Sequence, residues 1–166
     1  MKEKLKNINI IYVYADGGSL KNSPTQSDAG IGAILYDKIG NEIAKKSEFI
    51  GTATNNVAEY RALIFGIKTA LVLRPRAIKC FTDSELVVKQ INGEYRCKNI
   101  GLKMLLAEID TLSTKADVTF EYIPRENEKI RAVHKLVEKT INNERRRTPA
   151  QEASKKPQEK QKTFQW

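Results

Sequence analysis

The chain has 166 residues, 40% hydrophobic and 30% charged, which is enough to bury one core and makes a single domain the default. No apolar run approaches the ~20 residues of a membrane span, the charged N-terminus does not read as a signal peptide, and two cysteines exclude a disulfide framework, so we expect a cytoplasmic protein without a membrane association. The formal charge of +9 predicts attraction to phosphates, with a solvated basic surface as the alternative.

The first half of the chain predicts three strands, at residues 8–14, 31–36 and 42–50, because each run is rich in β-branched and aromatic residues. Residues 17–30 are rich in Gly, Ser, Asn, Pro and Asp and predict a loop. Residues 37–41 predict the turn of a hairpin between the second and third strands.

The second half alternates helices with two further strands. Apolar periodicity predicts helices at residues 56–73, 84–91, 102–112 and 129–143, and short apolar runs predict strands at 77–82 and 118–123. This order predicts an α/β protein with a five-stranded mixed sheet, strand order 3-2-1-4-5, and helices on both faces. Right-handed crossovers place the last two strands parallel to the first.

Three carboxylates stand at informative places in this arrangement. Asp16 and Asp83 each follow a strand of the parallel set, so both should emerge at the same edge of the sheet. Glu59, in the opening turn of a helix, can face that edge too. Converging carboxylates bind divalent cations through oxygen. An acidic cluster in a basic chain therefore predicts metal-assisted chemistry on a polyanion.

Five short motifs follow one another in a characteristic order: Asp16-Gly17-Gly18-Ser19, Asn55-Asn56-Val57-Ala58-Glu59-Tyr60-Arg61-Ala62-Leu63, Asp83-Ser84-Glu85-Leu86-Val87, Gln90-Ile91-Asn92-Gly93-Glu94-Tyr95 and Ile123-Pro124-Arg125-Glu126. This series resembles type 1 ribonuclease H, and most of all its compact bacterial and archaeal members that lack a separate basic protrusion. The resemblance covers residues 8–143, and it predicts a ribonuclease H-like catalytic domain over residues 1–143.

The resemblance implies an endonuclease that hydrolyses the RNA strand of RNA–DNA hybrids and leaves 3′-hydroxyl and 5′-phosphate ends. It also implies two Mg²⁺ or Mn²⁺ ions, one activating the attacking water and one stabilising the leaving oxygen. Asp16 corresponds to the carboxylate that bridges both ions. Glu59 and Asp83 correspond to ligands of the ion on the leaving-group side.

The same resemblance implies how the duplex is held. Asn55 and Asn56 correspond to residues of the minor groove, where amides can contact 2′-hydroxyls. The family positions that bind a phosphate of the DNA strand correspond to Asn22, Thr54 and Asn56. Glu85 matches a substrate-facing position, although a solvated acid in the first turn of a helix explains it equally well.

The loop after the first strand is expected to lie against the RNA. Ser19 and the backbone of Gly17 and Gly18 match positions close to that strand. Glycine lets a backbone approach a ligand where a β-carbon would intrude.

The pattern breaks at the family's fourth carboxylate, an aspartate near the start of the last helix. Here His134 takes that position. It could bind the metal on the nucleophile side through a neutral imidazole, which suits Mn²⁺ better than Mg²⁺. Alternatively Glu126 or Glu128 substitutes for the aspartate, or the site is impaired. Glu138 lies one helical turn beyond, on the same face.

An impaired site defines the alternative function, a module that binds hybrids or double-stranded RNA without efficient cleavage. The enzyme interpretation assigns catalytic and metal-binding roles to Asp16, Glu59, Asp83 and His134. Double-stranded RNA is an open substrate under either interpretation. We expect a monomer.

Residues 144–166 carry seven basic and three acidic groups and few apolar ones, which predicts a basic, disordered tail. Such a tail adds phosphate attraction that weakens with salt. Its last residues, 161–166, distantly resemble the glutamine-then-aromatic peptides that dock on sliding clamps, with imperfect spacing. An end without a partner is the alternative.

Overall fold

The computed structural model describes residues 9–20 and 27–154, with side chains to residue 147. Its elements in chain order are β1 (Ile10–Ser19), β2 (Ser27–Tyr36), β3 (Glu42–Ala53), α1 (Asn55–Leu71), β4 (Ala77–Thr82), α2 (Glu85–Ile91), α3 (Ile100–Ser113), β5 (Asp117–Tyr122) and α4 (Glu128–Ser154). The sheet order β3-β2-β1-β4-β5 confirms the predicted topology, with β1, β4 and β5 parallel and β2 antiparallel to its neighbours.

One face of the sheet carries the larger core, built around α1. Every second residue of β1 points to this face, and Ile11, Val13 and Ala15 are fully buried there. Gly66 of α1 allows the close approach, because a β-carbon at Gly66 would lie 2.5 Å from Cγ1 of Val13. The core therefore fixes the start of α1 against the end of β1.

The opposite face carries a smaller core under α4. Ile130, Val133, Val137 and Ile141 recur at helical spacing and are buried against β1 and β2. Glycines in β2 make room for them; an added β-carbon at Gly30, for example, would lie 2.9 Å from Cγ1 of Ile141. With α1 on one face and α4 on the other, helices cover both sides of the sheet, as the sequence predicts.

β1 is longer than the sequence predicts, which corrects the loop expected at residues 17–30. Its backbone stays paired with β2 as far as Ser19 opposite Ala29. Pairing with β4 stops earlier, at Tyr14 opposite Phe81. Gly17 and Gly18 have low strand propensity, but their backbone pairing with β2 outweighs that preference.

α4 is also longer than predicted: it continues to Ser154, so the expected helix end at residue 143 is wrong. The charged run after that point lacks apolar periodicity and contains Pro149, so neither periodicity nor propensity predicts that the helix continues. Arg145 lies 3.7 Å from Asp28 of β2, which ties the extension to the sheet. The division into a domain and a tail stays a prediction, and residues 155–166 lie outside the described part of the chain.

Within the described residues, no helix is both long and apolar enough to cross a membrane. Cys80 and Cys97 are buried free thiols. Burial moves the pKa of the Cys80 thiol well above its ordinary value, so this cysteine behaves as a small hydrophobic residue.

Candidate active site

Asp16, Glu59 and Asp83 line one pocket, at the edge of the sheet where β1 and β4 separate. β1 continues past Tyr14 with β2, whereas β4 ends at Thr82 and turns into α2. The gap that opens between the two strands holds the carboxylates. The other lining residues are Gly18, Ser19, Leu20, Asn55, Arg125, His134, Val137, Glu138, Ile141 and Asn142.

Glu59 projects from α1 and is the most constrained carboxyl group of the pocket. The hydroxyl of Ser84 donates a hydrogen bond to Oε2 (2.6 Å), and the amide of Asn55 donates to Oε1 (2.8 Å). Burial raises the pKa of Glu59 to about 7; the Ser84 bond opposes this, and the charges of Asp83 and Asp16 add to it. Near neutral pH, Glu59 is therefore ready to take up a proton or a cation.

Asp83 follows β4 directly and faces the same pocket. Burial and the charge of Asp16 raise its pKa, while the guanidinium of Arg125 and the ring of His134 oppose that rise. Nε of Arg125 lies 3.8 Å from Oδ2 of Asp83. A carboxyl group whose pKa is raised by burial and by a neighbouring carboxylate lies in a site where a positive charge is favourable.

His134 enters the pocket from α4. Its Nδ1 lies 3.0 Å from Oδ2 of Asp16, and its Nε2 lies 3.2 Å from Oε1 of Glu138, so the ring bridges two carboxylates. Nη2 of Arg125 lies 2.8 Å from both ring nitrogens. The hydrogen bond with Asp16 raises the pKa of His134; burial and the charge of Arg125 oppose that rise. The residue expected at the fourth ligand position thus contacts Asp16.

The two glycines after Asp16 have different roles. A β-carbon at Gly17 would lie 2.1 Å from the backbone oxygen of Ala58, so Gly17 is required for packing against α1. A β-carbon at Gly18 would meet nothing within 4 Å, and Gly18 lines the pocket. Packing alone thus accounts for glycine at position 17, and the approach of RNA to the backbone of Gly17 and Gly18 stays a prediction.

Ser19 and Asn55 join the end of β1 to the start of α1. The Ser19 backbone amide donates to Oδ1 of Asn55 at 3.4 Å, and the same Asn55 side chain donates to Glu59. The Ser19 hydroxyl is buried and has no hydrogen-bond partner within the described residues. A buried hydroxyl without a partner is costly, and it is available to a ligand.

Three of the described residues expected to bind the duplex do not line the pocket. The Thr54 hydroxyl caps α1 by accepting from the Val57 amide (3.3 Å), and Asn56 is exposed beside it. Glu85 is exposed and its Oε1 lies 2.8 Å from Nζ of Lys89, which suits a solvated acid in the first turn of a helix; its contact with substrate stays a prediction. Asn22 lies outside the described residues.

Sequence reasoning missed two pocket contacts, Arg125 and Ser84. Arg125 follows β5, so it stands at the same sheet edge as Asp83. Ser84 precedes the first turn of α2, a position typical of residues that bind polar groups. The position of both residues just after a strand could have indicated that they lie near the pocket. Which side chains they contact depends on the conformation of the connecting loops.

A divalent cation suits the donor set. Three carboxylates line one pocket, where burial, and after it repulsion from neighbouring carboxylates, raises the pKa values of Glu59 and Asp83. A bound cation would offset both effects. In the described part of the chain, no three His, Cys, Asp or Glu side chains are already gathered at metal-binding distances. Both oxygens of Glu59 and one of Asp16 are engaged within the protein, so a cation competes with those bonds.

Comparison with known proteins shows similarity to the ribonuclease H family. A family model described as "Reverse transcriptase-like" matches residues 15–140. The bifunctional protein Rv2228c of Mycobacterium tuberculosis is 35% identical over 117 residues, covering 69% of this chain and 31% of that protein. Ribonuclease HI of Halobacterium salinarum is 32% identical over 122 residues, covering 69% and 57%. The chain spans less than two thirds of the length of either relative.

Solved structures agree with these matches. LC11-RNase H1, isolated from compost, superposes with a TM-score of 0.73 at 35% identity, covering 81% of this chain and 97% of that one. The same protein has been crystallised with an RNA/DNA hybrid. The N-terminal RNase H domain of Rv2228c superposes with a TM-score of 0.76 at 30% identity, covering 84% and 98%.

Proposed function

Because the chain belongs to the type 1 ribonuclease H family, we propose that it is a metal-dependent endonuclease that hydrolyses the RNA strand of RNA–DNA hybrids. The products would end in 3′-hydroxyl and 5′-phosphate groups. LC11-RNase H1, at 35% identity, binds such a hybrid in its crystal structure. The basic charge of the chain suits a polyanionic substrate.

The observation that carries the proposal is the shared pocket of Asp16, Glu59 and Asp83. Packing carboxylates together in a partly buried pocket is unfavourable unless a cation compensates for it, and the raised pKa values of Glu59 and Asp83 record that cost. A merely structural cluster would not need three acids facing one opening. The arrangement therefore supports a site built to hold cations.

Asp16, Glu59 and Asp83 would hold two Mg²⁺ or Mn²⁺ ions. When bound, these ions supply a nucleophilic hydroxide and stabilise the leaving oxygen. The protein contributes orientation: Ser84 and Asn55 fix the Glu59 carboxylate through two hydrogen bonds, and α1 cannot move away from β1 without losing the Gly17 contact. Arg125, beside Asp83, is placed to stabilise negative charge on a phosphate.

We assign His134 the fourth position of the site. It contacts Asp16 directly, so it can orient that carboxylate and hold a proton near the reacting phosphate. Oε1 of Glu138 lies 3.2 Å from the other ring nitrogen and helps to orient the imidazole. If a ring nitrogen binds a cation, Mn²⁺ is favoured over Mg²⁺.

The duplex would be recognised around the start of α1. Exposed Asn56 can reach the minor groove, where an amide can both donate to and accept from a 2′-hydroxyl. Gly18 leaves open space above the end of β1, and the Ser19 hydroxyl lacks a protein partner among the described residues. These features favour close approach of the RNA strand beside the carboxylates. The Thr54 and Asn22 contacts with DNA phosphate stay predictions from the family.

One observation favours a second function, a module that binds hybrid or double-stranded RNA without cutting it efficiently. His134 occupies an oxygen of Asp16 that a cation would need. If that contact persists with substrate bound, the site would bind without turnover.

Cleavage of end-labelled duplexes distinguishes the two functions. RNA–DNA hybrid, double-stranded RNA and double-stranded DNA are incubated with the wild type in Mg²⁺ and, separately, in Mn²⁺. The enzyme interpretation predicts cleavage of the hybrid's RNA strand, and loss of about a thousandfold in rate for Asp83→Asn, equivalent to about 4 kcal/mol. Equal inertness of wild type and Asp83→Asn in both metals, with retained binding, would leave the binding module.

A further inference from the structure

The exposed side of α4 carries a row of cations that the proposed chemistry does not use. Arg131, Lys135, Lys139 and Arg146 are all exposed. At 3.6 residues per turn they fall within an arc of about 80° and extend over ~22 Å of the helix. We call these four residues the basic face of α4.

In the part of the chain that the structure describes, no acidic side chain pairs with the basic face. Other cations of α4 have partners: Lys129 lies over the rings of Tyr14 and Tyr36, and Arg145 pairs with Asp28. Among the residues that the structure describes, no carboxylate lies within ion-pair distance of Arg131, Lys135, Lys139 or Arg146. Repulsion between unpaired cations on one helix face is unfavourable, and an anionic partner would relieve it.

The basic face is continuous with the candidate active site. Glu138 and Asn142 line the pocket that holds Asp16, and both also line a surface groove with Lys135, Lys139 and Arg146. Glu138 contacts His134 on the pocket side. A polymer that leaves the pocket along α4 therefore meets the basic face next.

We propose that the basic face of α4 binds the phosphate backbone of the duplex whose scissile bond lies in the pocket. One strand of a duplex carries a phosphate every ~3.4 Å of axis, so a row of ~22 Å lies opposite about six phosphates. The four cations are opposite in sign to those phosphates and extend over the same length. This inference rests on the proposed function, and it identifies α4 as the surface that extends the contact beyond the reacting phosphate.

The test measures binding rather than cleavage. Hybrid affinity is determined by fluorescence anisotropy, with chelator present, over salt concentrations from 50 to 300 mM. The triple variant Lys135→Gln/Lys139→Gln/Arg146→Gln removes three charges and retains good helix formers. The matched control is Arg74→Gln/Arg76→Gln/Lys115→Gln. It removes three exposed charges just before the starts of β4 and β5, whereas the pocket lies beyond the ends of these strands.

For the wild type, log K for hybrid binding falls as log salt concentration rises, and each phosphate contact makes that slope steeper by ~0.9. The slope of the α4 variant should therefore be shallower by about 2 to 3. Its affinity at 50 mM salt should fall at least about tenfold, while the control stays within about twofold of the wild type. Equal losses in both variants would show that only overall charge matters, and no loss in either would show that α4 does not contact the duplex. Either result overturns the proposal.

The outcome for α4 is separable from that for the enzyme function. Wild-type cleavage of the hybrid is measured in Mg²⁺ and Mn²⁺ in parallel. Cleavage with an unchanged salt slope in the α4 variant would reject the basic face and keep the nuclease. A changed slope without wild-type cleavage would keep the basic face and reject the nuclease.

Discussion

Glu59 shows how the candidate site costs stability. Its pKa of about 7 in the folded protein exceeds the ordinary 4.5, so between these values the folded state binds more protons than the unfolded chain. Stability from this group is therefore lost as pH rises from about 4.5 to 7. His134 acts in the same direction, because its raised pKa stabilises the fold below 6.5 and that stability is lost at higher pH.

Replacing Glu59 with glutamine should make the cation-free protein more stable. The neutral amide keeps an oxygen that can accept from Ser84 or Asn55 and removes the repulsion with Asp16 and Asp83. We expect Glu59→Gln to gain about 1–2 kcal/mol at pH 8 in chelator, and the gain to shrink toward pH 5. Urea denaturation at several pH values measures it.

Glu85→Gln is the control for that comparison, because Glu85 is exposed and paired only with Lys89. Its effect should stay within about 0.5 kcal/mol at every pH. If Glu59→Gln and the wild type show the same pH dependence, Glu59 does not titrate as inferred.

The paired glycines provide a second test at the scale of single residues. Gly17→Ala places a methyl group against the Ala58 backbone oxygen, which cannot move without shifting α1. We expect a loss of about 1–3 kcal/mol in unfolding free energy, together with reduced cleavage, since Glu59 moves with α1. Gly18→Ala, with open space at that position, is the matched control and should change stability by less than about 1 kcal/mol. Equal effects of the two variants would refute the packing role of Gly17.

His134→Asp tests the fourth position. A carboxylate beside Asp16 should destabilise the cation-free protein and increase its stabilisation by Mg²⁺. Hybrid cleavage in Mg²⁺ should rise about tenfold, the equivalent of about 1.4 kcal/mol in the barrier. Thr114→Asp adds a carboxylate at an exposed position after α3, outside both the pocket and the basic face of α4, and should leave the rate unchanged. No change in rate or metal preference in His134→Asp would place this histidine outside the chemistry.

At the scale of elements, α4 links the second core to the site. Val137 is buried against β2, and it lies one turn from both His134 and Ile141. Val137→Ala leaves a cavity that should cost about 2 kcal/mol in unfolding free energy. Exposed Asn143→Ala is the control, with an expected change below about 0.5 kcal/mol. A stability loss no larger than that of the control would show that α4 is not anchored by this core.

The sequence predicts an element well when that element has a clear pattern of apolar residues. The strands and α1 have clear apolar patterns, so the strand order and the edge that carries Asp16 and Asp83 were predictable. The extension of β1 to Ser19 was not, because glycines extend there only through pairing with β2. The length of α4 was missed because its later turns lack an apolar face.

The site was predictable only in part, for the same reason. Three carboxylates after strands or at a helix start are visible in the chain, and His134 was found by its register with a family motif. The contact of Arg125 with Asp83 requires the connection after β5 to fold back over the pocket. No local pattern encodes that path.

At the scale of the whole molecule, opposite charges are arranged in neighbouring regions. A pocket of acids lies at the sheet edge, and the basic face of α4 runs from beside that pocket along the outer side of the helix. The acids would hold cations and the cations of α4 would hold phosphates. Such an arrangement would bring a polyanion to an acidic site that would otherwise repel it.

Cation binding by the acidic pocket is the most direct test of the account. Mn²⁺ and Mg²⁺ are titrated calorimetrically into the wild type and into Asp16→Asn at pH 8, without nucleic acid. Saturable binding by the wild type that is weakened at least about tenfold in Asp16→Asn is the predicted result, since Asp16 lines the pocket with Glu59 and Asp83 and contacts His134. Equal binding by the two proteins, or none by either at millimolar cation, would contradict a shared metal site.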